Sequence, residues 1–107
     1  MSYKGSKLMS SLAATGVLPN ADIIFVGTGA TAFTGTLPTN SMRIGQTTFV
    51  KRNVGATGAI TLKGQSGKIQ ALNNTLGTTT TLAAAGSLGS NVQFIWNGTD
   101  LIRLLNG

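Results

Sequence analysis

The sequence predicts an all-β fold: a small antiparallel sandwich or barrel of about seven to eight short strands, with an extended N-terminal arm. Three observations carry that prediction. Short β-branched and aromatic runs recur every 8–12 residues or so, roughly the rhythm of a β-sandwich, and each is closed by Gly or Asn. After position 20 no segment keeps a helical apolar period. Hydrophobic residues make up 41% of the chain and charged residues only 9%, so its polar faces are built from Thr, Ser and Asn rather than from charges.

The elements follow in order. Within residues 1–20, Leu8, Met9 and Leu12 fall at helical spacing, but one turn of apolar contacts does not hold an isolated helix in water. With the turn signal Pro19-Asn20 at its end, this segment reads as an arm that orders against a neighbour or as a flexible tail, and residues 21–107 as a single β domain. Ile23 to Val26 is a β-branched run closed by Gly27. Ala32 to Leu37 is a weaker extended segment before Pro38. Thr47 to Arg52 precedes the turn Asn53-Val54-Gly55-Ala56-Thr57-Gly58. Ala59 to Leu62, Lys68 to Leu72 and Thr78 to Leu82 follow, each ending near Gly or Asn. Val92 to Trp96 and Asp100 to Leu105 flank Asn97-Gly98, a pair suited to a type I′ hairpin turn. Alternation places Val92, Phe94 and Trp96 on one face, read as core. On the last strand, Ile102 and Leu104 share one face, while Leu101, Arg103 and Leu105 share the other. Leu101 and Leu105 are therefore the expected oligomer contact. A short chain with exposed strand edges and few charges to guard them favours a homo-oligomer.

Composition excludes most chemistry. There is no Cys and no His, and the only acids are Asp22 and Asp100. Disulfides, Cys/His zinc sites, Ser-His-Asp systems and a paired-Glu glycosidase are therefore ruled out, Asp22 and Asp100 lie far apart in the sequence, and neither an enzymatic role nor a metal is expected. Gly27-Thr28-Gly29-Ala30-Thr31-Ala32 matches a dinucleotide fingerprint in letters, but no helix pattern or ribose-binding acid follows it. No cofactor is expected, and the glycines read as turn residues. The tetrad Thr78 to Thr81 reads as a solvated strand face. The net charge of +6 is thinly spread, with Lys51-Arg52 its densest point. Direct nucleic-acid binding calls for a denser patch interleaved with aromatics, so a mild field favouring an acidic protein surface is the better reading. Leu8 to Leu18 is too short and too polar to cross a membrane.

From about Val50 onward the chain resembles a β module of bacteriophage virion proteins found in capsid decoration proteins, head fibres and tail-fibre tips. The resemblance rests on Arg52-Asn53-Val54-Gly55-Ala56-Thr57-Gly58-Ala59-Ile60-Thr61-Leu62, on Ile69 to Leu72, and on Thr78 to Leu82. It extends through Ala83-Ala84-Ala85-Gly86-Ser87 and the final hairpin Phe94 to Ile102. Where fibre modules commonly carry an aromatic after the last turn, this chain has Leu101 and Ile102. The resemblance implies a virion structural protein, often trimeric. A fibre needs a shaft before its tip, so the short arm points to a capsid decoration, or cement, protein on the capsid exterior. Its partner would be the major capsid protein, with no small-molecule substrate and no membrane. The expected capsid-contact residues are Tyr3, Lys4, Lys7, Leu8, Met9 and Leu12, and deleting residues 2–20 is expected to abolish capsid binding while sparing the β fold. The competing expectation is a receptor-binding tip that recognises host glycans, with Trp96 and Tyr3 as its stacking planes.

Overall fold

A computed structural model describes residues 8–11, 15–84 and 86–106. The fold is all-β. In chain order the strands are β1 (Leu8–Ser11), β2 (Thr15–Val17), β3 (Ile23–Val26), β4 (Phe33–Leu37), β5 (Thr47–Arg52) and β6 (Ile60–Gly64). Then come β7 (Ile69–Gln70), β8 (Leu76–Gly77), β9 (Thr80–Leu82), β10 (Asn91–Trp96) and β11 (Leu101–Asn106). They form a seven-stranded sheet, β1-β3-β5-β10-β11-β7-β8, and a four-stranded sheet, β2-β4-β6-β9.

The first six strands alternate strictly between the two sheets. Each passage of the chain therefore adds one strand to each layer, and neighbours within a layer run the same way. β1, β3 and β5 are parallel, with Met9, Ile24 and Val50 in register. β2, β4 and β6 are parallel, with Thr15, Thr34 and Thr61 in register. This corrects the antiparallel sandwich of seven to eight strands. Antiparallel pairing is confined to β5–β10, β10–β11, β6–β9 and β7–β8. Parallel neighbours need a crossover between them, and here the crossover is a strand of the opposite sheet. The surplus strands are β1, β2 and the two-residue β8. The segment read as an arm supplies two of these, and also Leu18, which is buried in the core. Removing residues 2–20 would therefore take out part of both sheets.

The alternation that predicts strands also fills the core. β10 buries Val92, Phe94 and Trp96 and turns Gln93 and Ile95 outward. Val50 pairs with Ile24 on one side and Val92 on the other, a fully buried row across the larger sheet. Phe33 pairs with Ile60 and Ile60 with Leu82 in the facing sheet. Each such side chain contributes about 1.5–3 kcal/mol when fully buried. Gly35 lets that layer close, because a Cβ there would lie 2.8 Å from Phe33 and 2.9 Å from Leu18. The Gly27-x-Gly29 motif is a turn with positive φ at both glycines, and Gly29 O accepts the Thr57 and Gly58 amides. That contact stacks the loop after β3 on the loop after β5.

Arg52 ties the layers together at the end of β5. Its Nη1 donates to Ala56 O and Gly58 O at 3.2 and 2.7 Å. Its Nη2 donates to Leu82 O and Ala83 O at 3.3 and 2.9 Å. One side chain of the larger sheet thus serves four carbonyls, two of them at the end of β9 in the smaller sheet. Lys51 points the other way, with Nζ 5.1 Å from the Phe49 ring, so the densest charge pair in the sequence is split between two faces. Arg52→Met should cost about 2–4 kcal/mol in urea unfolding, because the carbonyls lose a charged donor. Lys51→Met should stay within about 0.5 kcal/mol. Equal effects of the two substitutions would contradict the tie.

Candidate contact surface

The final hairpin decides which of the expected contact residues reach the surface. Its loop is four residues long, with Trp96 opposite Leu101, instead of the two-residue type I′ turn that Asn97-Gly98 suggests. Gly98 has φ of +94° but Asn97 lacks the positive φ that a type I′ turn requires. The Asn97 side chain takes over instead, its Oδ1 accepting the Thr99 and Asp100 amides at 2.8 and 2.7 Å. Asp100 Oδ1 in turn accepts the Lys68 amide at 2.8 Å, anchoring the hairpin to the start of β7.

Residues directly opposite one another on paired strands share a face. Leu101 opposes buried Trp96 and Arg103 opposes buried Phe94, so both point inward. Leu101 is fully buried, which corrects its assignment to an outward face with Leu105. A register shift between Gln93 and Phe94 then breaks the alternation, and Leu104 and Leu105 are exposed together at 47% and 57%. Leu105 thus lies on the surface as expected. Leu8 and Met9 lie on β1 beside Ile23 and Ile24; Tyr3, Lys4, Lys7 and Leu12 are outside the described residues.

Three further leucines are exposed, two of them at the strand pair that edges the larger sheet beyond β11. β7 pairs with β11 and β8 with β7. Leu72 follows β7, Leu76 lies on β8, and both are exposed. Exposed Leu88 precedes Gly89, where an added Cβ would lie 3.4 Å from the Leu72 side chain. Sequence reading found Leu105 but not the others, because Leu72, Leu76 and Leu88 lie in or beside turns that leave no periodic signal.

Beside these leucines a cavity of about 400 Å³ opens where the two sheet edges meet. Ala71, Leu72 and Asn73 line it from the larger sheet, and Thr80, Thr81 and Ala83 from the smaller. Gly89 and Arg103 complete the wall. Arg103 Nε donates to Gln70 O at 3.1 Å and Nη2 to Thr80 Oγ1 at 3.3 Å, and its guanidinium sits 5.5 Å from the Phe94 ring. Removal from water pushes the Arg103 pKa down. Thr80 is buried while Thr81 is exposed, so the threonine run turns one hydroxyl inward to the arginine and another to solvent. The signal that would have found Arg103 is the pairing parity across the hairpin, which puts it on the same face as Phe94.

No protein-family model, curated protein or solved structure matches the chain. The inverted faces of β11 give a direct check. Leu101→Ala should cost about 2–5 kcal/mol by denaturant unfolding, while Leu105→Ala should stay within about 0.5 kcal/mol. The reverse order would return Leu101 to the surface.

Proposed function

We propose that this chain is a bacteriophage virion structural protein, a capsid decoration protein that binds the exterior of the assembled shell and stabilises it. The observation that carries the reading is the exposure of Leu72, Leu76, Leu88, Leu104 and Leu105 on a sparsely charged body. Such a surface favours association with protein over any solvated role. Association of copies through Leu104 and Leu105 makes the trimer, and three linked copies convert weak contacts with the lattice into avidity. The N-terminal residues, from Tyr3 and Lys4 through Leu12, face the major capsid protein in this scheme. Among the described residues β1 pairs only with β3, so it offers a strand edge for that contact. Binding that exists only on the assembled shell stabilises it by mass action, and the net charge of +6 favours encounter with an acidic surface.

Trp96 is only 7% exposed, which withdraws the main stacking plane that a glycan-binding tip would use. Co-sedimentation of the full chain with assembled phage heads and with unassembled capsid protein tests the choice. Binding to assembled heads alone, persisting at high salt and raising the temperature at which they open, is the expected result. Loss of binding at high salt would instead mark a predominantly electrostatic contact. Binding to host cells but not to heads would replace decoration with receptor recognition.

A further inference from the structure

The outward faces of the two sheets differ in chemistry. On the smaller sheet, Thr34, Thr61 and Thr81 lie in register across β4, β6 and β9, with Thr36 and Lys63 beside them, which is an ordinary solvated face. On the larger sheet the outward positions of β3, β5, β10 and β11 carry Ile23, Phe25, Phe49, Ile95, Ile102 and Leu105. Register makes most of them direct neighbours. Ile23 opposes Phe49, Phe49 opposes Gln93 and Gln93 opposes Leu105, while Ile95 opposes Ile102. The two phenylalanines and three isoleucines are half-buried and Leu105 is exposed, and none of the six belongs to the core. The larger sheet is thus apolar on both faces. Among the described residues, the smaller sheet covers only its inner one. A sheet that is apolar on both faces is an inner layer.

We propose that the outer face of the larger sheet is the interface between copies of this chain. The inference rests on the self-association invoked above and not on the capsid partner. The face has the anatomy of an interface, an apolar centre with Thr47 at one end and Lys51 and Asn91 at the other. Lys51 is the single charge among these outward positions, and its Nζ stands 5.1 Å from the Phe49 ring. Gln93 is the polar residue at the centre, and its amide both donates and accepts, so its copies can pair with one another. Charge selects a second copy as the occupant. With eight cations against two acids, copies repel one another over most of their surface, and a face with one charge is where they can approach. The face is also continuous with Leu105, already assigned to contact between copies. Its four strands span about 19 Å at about 4.8 Å each, and three such faces set in a triangle leave about 5.5 Å from each sheet to the axis, near half the roughly 10 Å between packed sheets. Three copies therefore fill the centre with side chains.

The test is light scattering after size exclusion on the full chain and on one variant from each outward face. The unaltered protein should have the mass of three chains. Ile95→Lys should fall to the mass of one, because it places a charge in the apolar centre, while Thr61→Lys on the smaller sheet should keep three. Circular dichroism and the urea midpoint show that Ile95→Lys is folded. A second measurement avoids the added charge. The chain has no cysteine, so Gln93→Cys introduces a single thiol at the centre of the face. That thiol should react with a maleimide only as fast as the copies come apart, and more slowly as protein concentration rises. Thr61→Cys should react at a rate independent of protein concentration. Co-sedimentation with phage heads is read separately: a trimer that binds no heads supports this interface and removes decoration, and single chains that bind heads do the reverse. A single-chain mass for the unaltered protein, an oligomer that folded Ile95→Lys leaves intact, or a thiol at 93 that reacts as freely as one at 61 would overturn the proposal.

Discussion

Everything in this fold depends on the chain crossing from one sheet to the other at each step from β1 to β6. That alternation makes the neighbours parallel, and it obliges each layer to present an inward apolar row at matched heights. The row Ile24, Val50 and Val92 in one sheet and the row Phe33, Ile60 and Leu82 in the other meet this requirement. The crossings are short, so their backbone must double back tightly. Positive φ at Gly27 and Gly29 is the local means at the β3–β4 crossing. The coil ends where β10 and β11 continue the larger sheet and β9 the smaller one. The cavity lies beside β7 and β9, where these last strands close the two sheets.

Charge is handled in an unusual way because the chain has so few acids. Arg52 is neutralised by no carboxylate in its contacts; its guanidinium serves four carbonyls instead. Arg103 is held by a carbonyl, a hydroxyl and an aromatic face. Carbonyl oxygens at loop and strand ends need donors, and a guanidinium supplies several in fixed directions. In a fold made of short strands and many turns, two arginines do work that carboxylate pairs or longer ladders do elsewhere.

Much of the strand content was legible in the sequence. All eight segments read as strands, from Ile23–Val26 to Asp100–Leu105, contain strands, because β-branched runs closed by Gly or Asn are strong local signals. Pairing was not legible. Short apolar strands such as Ile60 to Leu62 carry no mark of which sheet they join or in which direction. The strands at Leu8–Ser11 and Thr15–Val17 were hidden by a helical spacing of leucines, and tertiary pairing overrides so short a pattern. The hairpin at Asn97-Gly98 was visible, but its length depended on the Asn97 side chain accepting two amides. The faces of β11 were recoverable from parity alone, and that step was the one missed. Of the contact residues, Leu105 was legible, Leu101 belongs to the core, and Leu72 and Leu88 came together only through turns.

The central proposal is that Leu104 and Leu105, exposed at the end of β11, are covered by other copies of the chain. Its most direct test is the solution molar mass by light scattering after size exclusion, at low and high salt. The account predicts a mass three times the 10.9 kDa of the chain, unchanged by salt, and falling to that of one chain when Leu104 and Leu105 are both replaced by lysine. A single-chain mass for the unaltered protein at every concentration, or a trimer that those replacements leave intact, would contradict it.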